Sequence, residues 1–474
     1  MKIIGREAEQ EALKRYRDSG TPEFLAIYGR RRVGKTFLIR EFFNDEFAFQ
    51  LTGVSNGKKE EQIDYFNKAM RKYGKGSYTA INTWSDAFDQ LIHLLEHSKS
   101  KGRQIIFLDE LPWLDTPKSG FLSALEHFWN SWGFAHPQVF LIVCGSATSW
   151  IIRRVLRNRG GLHNRVTRRM RLESFTLAEC EQFFIDRYMD YDRKTLAECY
   201  MVFGGVPFYL SLFEGGLSLA QNVDALCFAK NAALADEFEE LFSSLFKNAG
   251  MHMSIVEALA QKKKGLTRDQ VIKAANTTSG GGLTSVLDEL EQSGFIQVYQ
   301  DYSGKSGRYC YQLVDFFSLF YLTHMKARRS NDRHYWSNNN GKPSLHAWSG
   351  YAFELVCLVH EQQIKQALGI AGVSTSTFSW RSRESQPGAQ IDLLLDRSDN
   401  VINLCEIKFC KGEFAIDKAY GQTLCNKREA FGRESHTRKT IHMTMITSYG
   451  LKQNAYSNII QSQLTLDDIF KPAV

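Results

Sequence analysis

Proline is scarce, at only 8 of 474 residues, which excludes long proline-rich linkers. The nine cysteines are odd in number and form no CxxC pair. Several sit in apolar runs such as Val143-Cys144 and Val356-Cys357, so they read as reduced core thiols rather than a disulfide framework or a zinc site. No apolar run approaches the roughly 18 residues that a membrane helix needs. The N-terminus meets Arg6 and Glu7 before a stretch of signal-peptide length can build. Repeats of solenoid length are missing too. Together these absences predict a cytoplasmic protein with no membrane partner. What is present is ordinary for a globular chain: 43% hydrophobic and 23% charged residues, enough for a packed core. At about 150 residues per domain the length predicts about three domains. The net charge of +7 permits a polyanionic partner without requiring one.

Apolar runs of strand length alternate with helical patterns up to about residue 175. Phe24 to Tyr28 precedes a helix from Lys35 to Phe43, Gln104 to Leu108 precedes one near Phe121 to Trp132, and Val139 to Cys144 follows. That alternation predicts an α/β domain with a mostly parallel sheet. From Thr176 to Asn248 the pattern is helical, with a break at Gly204-Gly205-Val206-Pro207. Met251 to Leu322 reads as helix, turn, helix and wing, with Leu283 to Gln292 as the second helix. The polar segment Arg328 to Ser344 reads as a linker. A last α/β unit follows, with a helix over Tyr351 to Leu368 and strands over Ile391 to Leu395 and Val401 to Phe409. The expected organisation is therefore a P-loop core (1–172), a helical lid (173–248), a winged helix (249–325), a linker (326–345) and a C-terminal α/β domain (346–474).

The strongest motif is Gly29-Arg30-Arg31-Arg32-Val33-Gly34-Lys35-Thr36, which fits G-x-x-x-x-G-K-[ST] between a strand and a helix continuing through Phe37. Glycines let successive N–H groups converge on phosphate oxygens, and the helix N-terminus adds partial positive charge. Lys35 is expected at the β- and γ-phosphates of ATP and Thr36 on Mg²⁺. The apolar strand ending in Leu108-Asp109-Glu110 supports this, with Asp109 beside the metal and Glu110 placed to polarise water. Ser146, just after the strand Phe140 to Cys144, is a candidate γ-phosphate sensor.

These segments, together with the opening Ile4-Gly5-Arg6-Glu7 and the Gly204 to Leu210 segment, recur in an order that resembles the archaeal-type ATPase group of STAND/AAA-like P-loop NTPases. The resemblance covers nearly the whole chain. It implies a helical lid, a winged helix and a C-terminal restriction-endonuclease-like domain of the PD-(D/E)XK type. It also implies that Arg6 lies near the nucleotide base and that Pro207 packs on that base from the lid.

Between Ile151 and Leu172 there are eight arginines (153, 154, 157, 159, 165, 168, 169 and 171) and no acid. Three readings stay open: a solvated lid face, an arginine reaching a γ-phosphate across a subunit boundary, or a grip on nucleic-acid phosphates. For the second, Gly161-Leu162-His163-Asn164-Arg165 resembles the family position and makes Arg165 the candidate. The second helix of the winged unit carries Asp288, Glu289 and Glu291, which favours protein contact over DNA.

In the last unit Glu406 and Lys408 of an E-x-K strand share one face, and Asp392 lies on the preceding strand. Two carboxylates and a lysine suit metal-assisted phosphodiester hydrolysis, with Asp392 and Glu406 on Mg²⁺ and Lys408 at the developing charge. Glu354 stands where the nuclease-like fold contributes a further acid, Gln390 is placed to complete the site, and Tyr420 lies on the following helical stretch. The expected function is an ATP-binding, ATP-hydrolysing switch controlling a metal-dependent nuclease-like domain. The alternative is a nucleotide-gated scaffold, sensor or DNA-binding regulator with an inactive nuclease-like fold. The partners expected are ATP or ADP, nucleic acid, and a protein partner or second copy.

Overall fold

The computed structural model describes residues 2–74, 79–98, 102–157, 160–162, 164–262, 265–300, 302, 309–326, 332–339, 341–382 and 388–472. The chain divides into two compact units, Met1–Ser174 and Phe175–Val474.

The first unit is built on five parallel strands: β1 (Glu23–Tyr28), β2 (Phe49–Thr52), β3 (Gln104–Asp109), β4 (Val139–Cys144) and β5 (Arg168–Arg171). Their order is β2-β3-β4-β1-β5. Strands β3 and β4 are buried along their whole length, as near-continuous apolar runs with covered faces should be. Alternate residues feed two cores. Ile106, Leu108, Leu141 and Val143 belong to one, and Ile105, Phe107, Phe140 and Ile142 to the other.

Two of these strands are absent from the sequence-based expectation. Strand β5 draws Arg168, Arg169 and Arg171 out of the basic stretch and onto the sheet edge, where only Met170 of the four residues is buried. Arg168 pairs there with the buried Glu23 at 3.0 Å, so this part of the stretch is sheet rather than lid.

The second unit opens with the helices Leu177–Asp186 and Arg193–Phe203. A three-stranded antiparallel sheet follows: β6 (Leu266–Thr267), β7 (Ile296–Gln300) and β8 (Tyr309–Leu313), in the order β6-β8-β7. Between β6 and β7 lie the helices Arg268–Ala274 and Gly281–Gln292. The C-terminal sheet contains β9 (Thr375–Arg381), β10 (Gln390–Arg397) and β11 (Val401–Lys408). After the short β12 (Phe414–Ala415) come β13 (Thr440–Thr447), β14 (Leu451–Lys452) and β15 (Ser462–Leu464). Strands β9 to β11 pair antiparallel and β11, β13 and β15 pair parallel, in the order β15-β13-β11-β10-β9. Strands β12 and β14 form a separate parallel pair.

Two expectations give way here. The segment read as a linker is packed, apart from residues 327–331 and 340, which lie outside the described residues. Its helix Tyr335–Asn339 is capped by the Asp224 carboxylate, which accepts from the N–H groups of Trp336 (2.7 Å) and Ser337 (3.1 Å). Trp336 is buried against Phe320 and Trp348. The helix expected over Tyr351 to Leu368 is two helices, Pro343–Val359 and Glu361–Ala367, broken at His360.

His360 Nε2 accepts from the Leu177 N–H at 3.0 Å, capping the first helix of the unit from the C-terminal region. A protonated ring cannot accept there, and burial pushes the His360 pKa down to about 4. The unfolded chain, with a histidine near pKa 6.5, takes up this proton first. Stability from this contact is therefore complete above about pH 6.5 and is lost as pH falls toward 4. By pH 4.5 the loss reaches about 2–3 kcal/mol. Urea midpoints of wild type and His360→Gln between pH 7.5 and 4.5 should show a steeper acid decline in wild type.

Candidate functional site

The phosphate loop lies between β1 and the helix Lys35–Phe42. Its backbone takes positive φ at Gly29 (141°), Arg32 (71°) and Gly34 (91°), the kind of curl that turns successive N–H groups inward. A Cβ on Gly29 would lie 2.2 Å from the Leu172 carbonyl oxygen, so no other residue fits. Lys35 is only 6% exposed. Its Nζ donates to the carbonyls of Gly29 (2.9 Å) and Arg30 (2.7 Å), and burial lowers its pKa. Val33 is buried, Arg30 and Arg31 are half-buried, and Phe37 is exposed on the first helical turn.

The strand ends complete the arrangement. Thr36 Oγ1 donates to Asp109 Oδ2 at 3.0 Å, and the Glu110 N–H donates to Asp109 Oδ1 at 3.0 Å. Asp109 is 3% exposed. Burial, and then the neighbouring Glu110, raise its pKa despite these bonds. A cation at this carboxylate would relieve that cost, so the Thr36–Asp109 pair suits Mg²⁺ with its oxygen ligands. Glu110 holds a left-handed backbone at φ 48° and accepts from Ser146 Oγ at 2.9 Å and from the Ser146 N–H at 3.3 Å. Lys35, Thr36, Asp109, Glu110 and Ser146 are thus brought together. The Cys144 thiol also reaches Asp109, its own pKa pushed well up by burial. Its placement at the end of β4, beside Ser146, is the signal that marks it, although the sequence reads it simply as core.

Other candidates have different surroundings. Arg6, 5% exposed, donates from Nη2 to Glu173 O (2.6 Å) and Val33 O (3.4 Å), tying the N-terminus to the loop and to the chain beyond β5. Arg165 is exposed, with its guanidinium 5.5 Å from the centre of the Phe134 ring. Arg154 pairs with Asp115 (3.2 Å) and Arg171 with Glu173 (2.7 Å). Arg159 and His163 lie outside the described residues. Pro207 belongs to the second unit, where it starts the helix Pro207–Ser211 after two left-handed glycines.

The C-terminal carboxylates form a second cluster. Strands β10 and β11 pair Leu393 with Cys405, which sets Asp392 opposite Glu406 one step further along. The β10–β9 pairing shifts register between Ile391 and Leu394, a bulge at Asp392 of the kind that re-aims a side chain. Asp392 Oδ2 accepts from the Ile407 N–H at 3.1 Å. Glu406 is fully buried (0% exposed). Its Oε1 accepts from Lys427 Nζ at 2.6 Å and its Oε2 from Tyr420 Oη at 3.3 Å, while Lys408 Nζ stands 4.0 Å away. Burial, and then Asp392, raise the Glu406 pKa against the pull of both lysines. Glu354, on the helix Pro343–Val359, lines one cleft with Gln390 and Asp392. Two carboxylates suit an ion that keeps several waters, as Mg²⁺ does. Among the described residues, however, no group of three or more His, Cys, Asp or Glu side chains is gathered to hold a metal. Lys427 is absent from the sequence-based set. Its spacing of seven from Tyr420 on the helix Lys418–Ser435 puts both on one face and is the signal that finds it.

No helix among the described residues is long and apolar enough to cross a membrane. Over 414 residues the chain is 24% identical to an uncharacterised protein of Methanocaldococcus jannaschii, covering 86% of this chain and 87% of that one. Among solved structures, a Walker-type ATPase of Pyrococcus abyssi is similar over 68% of this chain and 96% of its own, at 16% identity and a TM-score of 0.48. The ORC2 protein of Aeropyrum pernix, solved as ADPNP–ADP complexes, is similar over 68% and 93%, at 14% identity and a TM-score of 0.41. Residues 3–213 match the ATPase domain found predominantly in Archaea, a match that spans the loop, the Asp109 strand and Ser146. This part of the chain is similar to an archaeal-type ATPase domain.

Proposed function

We propose that the chain is an ATP-binding and ATP-hydrolysing switch whose nucleotide state controls a metal-dependent nuclease-like site near its C-terminus. The observation that carries the first half is the buried Lys35 ammonium, held on two loop carbonyls beside the Thr36–Asp109 pair. In this reading Lys35 exchanges carbonyl for phosphate oxygens, Thr36 and Asp109 hold the metal, and Glu110 orients water while Ser146 fixes its carboxylate. Bound Mg²⁺ supplies charge neutralisation along the triphosphate. Arg6 and Pro207 are assigned to the base, and Arg165 to the γ-phosphate of a second copy.

For the second half, the support is the pairing of Asp392 with Glu406, with Lys408 on the same strand face. Asp392 and Glu406 hold the metal, which supplies Lewis acidity, and Lys408 stabilises charge on the phosphate. We assign the helices and strands of 249–325 to a winged helix whose second helix contacts protein rather than duplex DNA. The support is the exposed Asp288 and Glu291 on that helix, which nucleic-acid phosphates would repel. The lid (173–248) and the C-terminal domain (346–474) are then the moving and the acting parts. Lid and C-terminal residues already touch: besides the Leu177–His360 bond, Arg193 joins Glu181 to Asp467, each at 2.8 Å.

A second reading, a nucleotide-gated scaffold with an inactive nuclease-like fold, has its own support in the Lys427 ammonium seated on Glu406. Incubation with Mg²⁺ and a panel of single- and double-stranded nucleic acids separates the two. The nuclease reading expects cleavage that falls at least about 100-fold in Asp392→Asn. Absence of any metal-dependent cleavage, with Asp392→Asn indistinguishable from wild type, supports the scaffold.

A further inference from the structure

Asp392 opens onto a cleft of about 900 Å³, with Glu354 and Gln390 beside it on one wall, while Glu406 lies buried behind. The opposite wall is the hairpin β7–β8. Its register pairs Gln297 with Gln312 and Tyr299 with Cys310, which puts these four side chains on one face, and all four line the cleft. The walls are fastened to each other in two places. The Tyr302 N–H, just beyond β7, donates to Ser379 O at 3.0 Å on the sheet-edge strand β9. The Tyr302 ring stands 5.1 Å from Phe378 and 5.3 Å from Phe431. Tyr351, one turn before Glu354, hydrogen-bonds Gln312. The hairpin is therefore a fixed wall of the carboxylate cleft.

The size and lining of the cleft limit what it can take. A cleft of about 900 Å³ is on the scale of a pocket for a bound ligand, whereas the major groove of a duplex alone is about 12 Å wide. Glutamine amides pair with base edges, a tyrosine ring stacks on any base, and cations such as Lys262 and Arg381, which also line the cleft, neutralise backbone phosphates. We propose that this cleft is the substrate channel of the carboxylate site and takes a single nucleic-acid strand, with Tyr299 stacking on a base and Gln297 and Gln390 reading base edges. The proposal rests on the nuclease-like reading of Asp392 and Glu406.

The test uses the full chain, with Ca²⁺ replacing Mg²⁺, and fluorescence anisotropy of a labelled single-stranded oligonucleotide and its duplex. The single strand should bind and the duplex should bind at least about tenfold more weakly. Tyr299→Leu should weaken the single strand about tenfold, Tyr299→Trp should retain it, and both variants should bind ATP as wild type does, which controls for folding. Equal binding of strand and duplex, or a Tyr299→Leu variant that binds like wild type, overturns the channel. If Asp392→Asn then still abolishes Mg²⁺-dependent cutting, the nuclease reading survives that loss. Conversely, Tyr299-dependent strand binding without any cutting supports the channel and removes the nuclease.

Discussion

Lys35→Ala should weaken ATP binding by about 100-fold or more, measured by isothermal titration with a non-hydrolysable analogue. The ammonium is desolvated before any ligand arrives, which is why its pKa is lowered, and it makes two carbonyl contacts that a phosphate can replace. A charge-assisted hydrogen bond contributes about 1.5–3 kcal/mol, so losing the ammonium from two phosphate oxygens removes at least two orders of magnitude. The alanine variant should remain folded, because the unliganded protein loses a buried charge along with its contacts. Unchanged affinity in a folded Lys35→Ala variant would remove the phosphate-site assignment.

The second large effect is on stability. Lys427→Met should destabilise the protein by about 3–5 kcal/mol at pH 8, because it takes the nearer of two lysines from a fully buried carboxylate and leaves only Lys408, 4.0 Å away. Glu406→Gln in the same background should restore most of that loss, since no charge is then left to compensate. The pH dependence has a definite sign. The folded pKa of Glu406 is raised, so the folded state holds this proton more tightly than the unfolded chain does. Removing Lys427 raises it further, and the deficit of Lys427→Met should shrink as pH falls from 8 to 5 and the carboxyl protonates. Urea midpoints at both ends read this directly. A Lys427→Met variant as stable as wild type at pH 8 would mean that the pair carries no weight.

Legibility in the sequence followed the range of the interactions. The phosphate loop is legible because its glycines and lysine lie within eight consecutive residues, and Asp109 because an apolar strand ending in acids gains meaning beside such a loop. Strand β5 escapes the pattern because only Met170 faces the core, and its arginines look like a solvated run until Glu23 is brought beside Arg168. Asp224 meets Trp336 and Ser337 more than a hundred residues away. No local rule marks that contact, so a packed helix reads as a polar linker. His360 breaks the helical pattern because its ring caps a distant helix, and Lys427 is marked in the sequence only by its spacing from Tyr420, its pairing with Glu406 being a tertiary contact. The hairpin reads as a wing from its turn and strand lengths, but its attachment through Tyr302 to β9 is a tertiary fact.

These tertiary contacts give the proposed control a physical route within the second unit. The helix Leu177–Asp186 is capped by His360, Tyr200 on the next helix packs its ring 5.1 Å from that histidine, and Arg193 reaches Asp467. A shift of the lid helices would therefore pull on the C-terminal region. A nucleotide can bias such a shift only by its difference in affinity for the two arrangements. The most direct measurement is the rate at which Mg²⁺-loaded protein cuts a labelled single strand with ATP, with ADP and with no nucleotide. The account predicts rates that differ severalfold between nucleotide states and become equal in Lys35→Ala. Equal rates in the wild-type protein under all three conditions would contradict it.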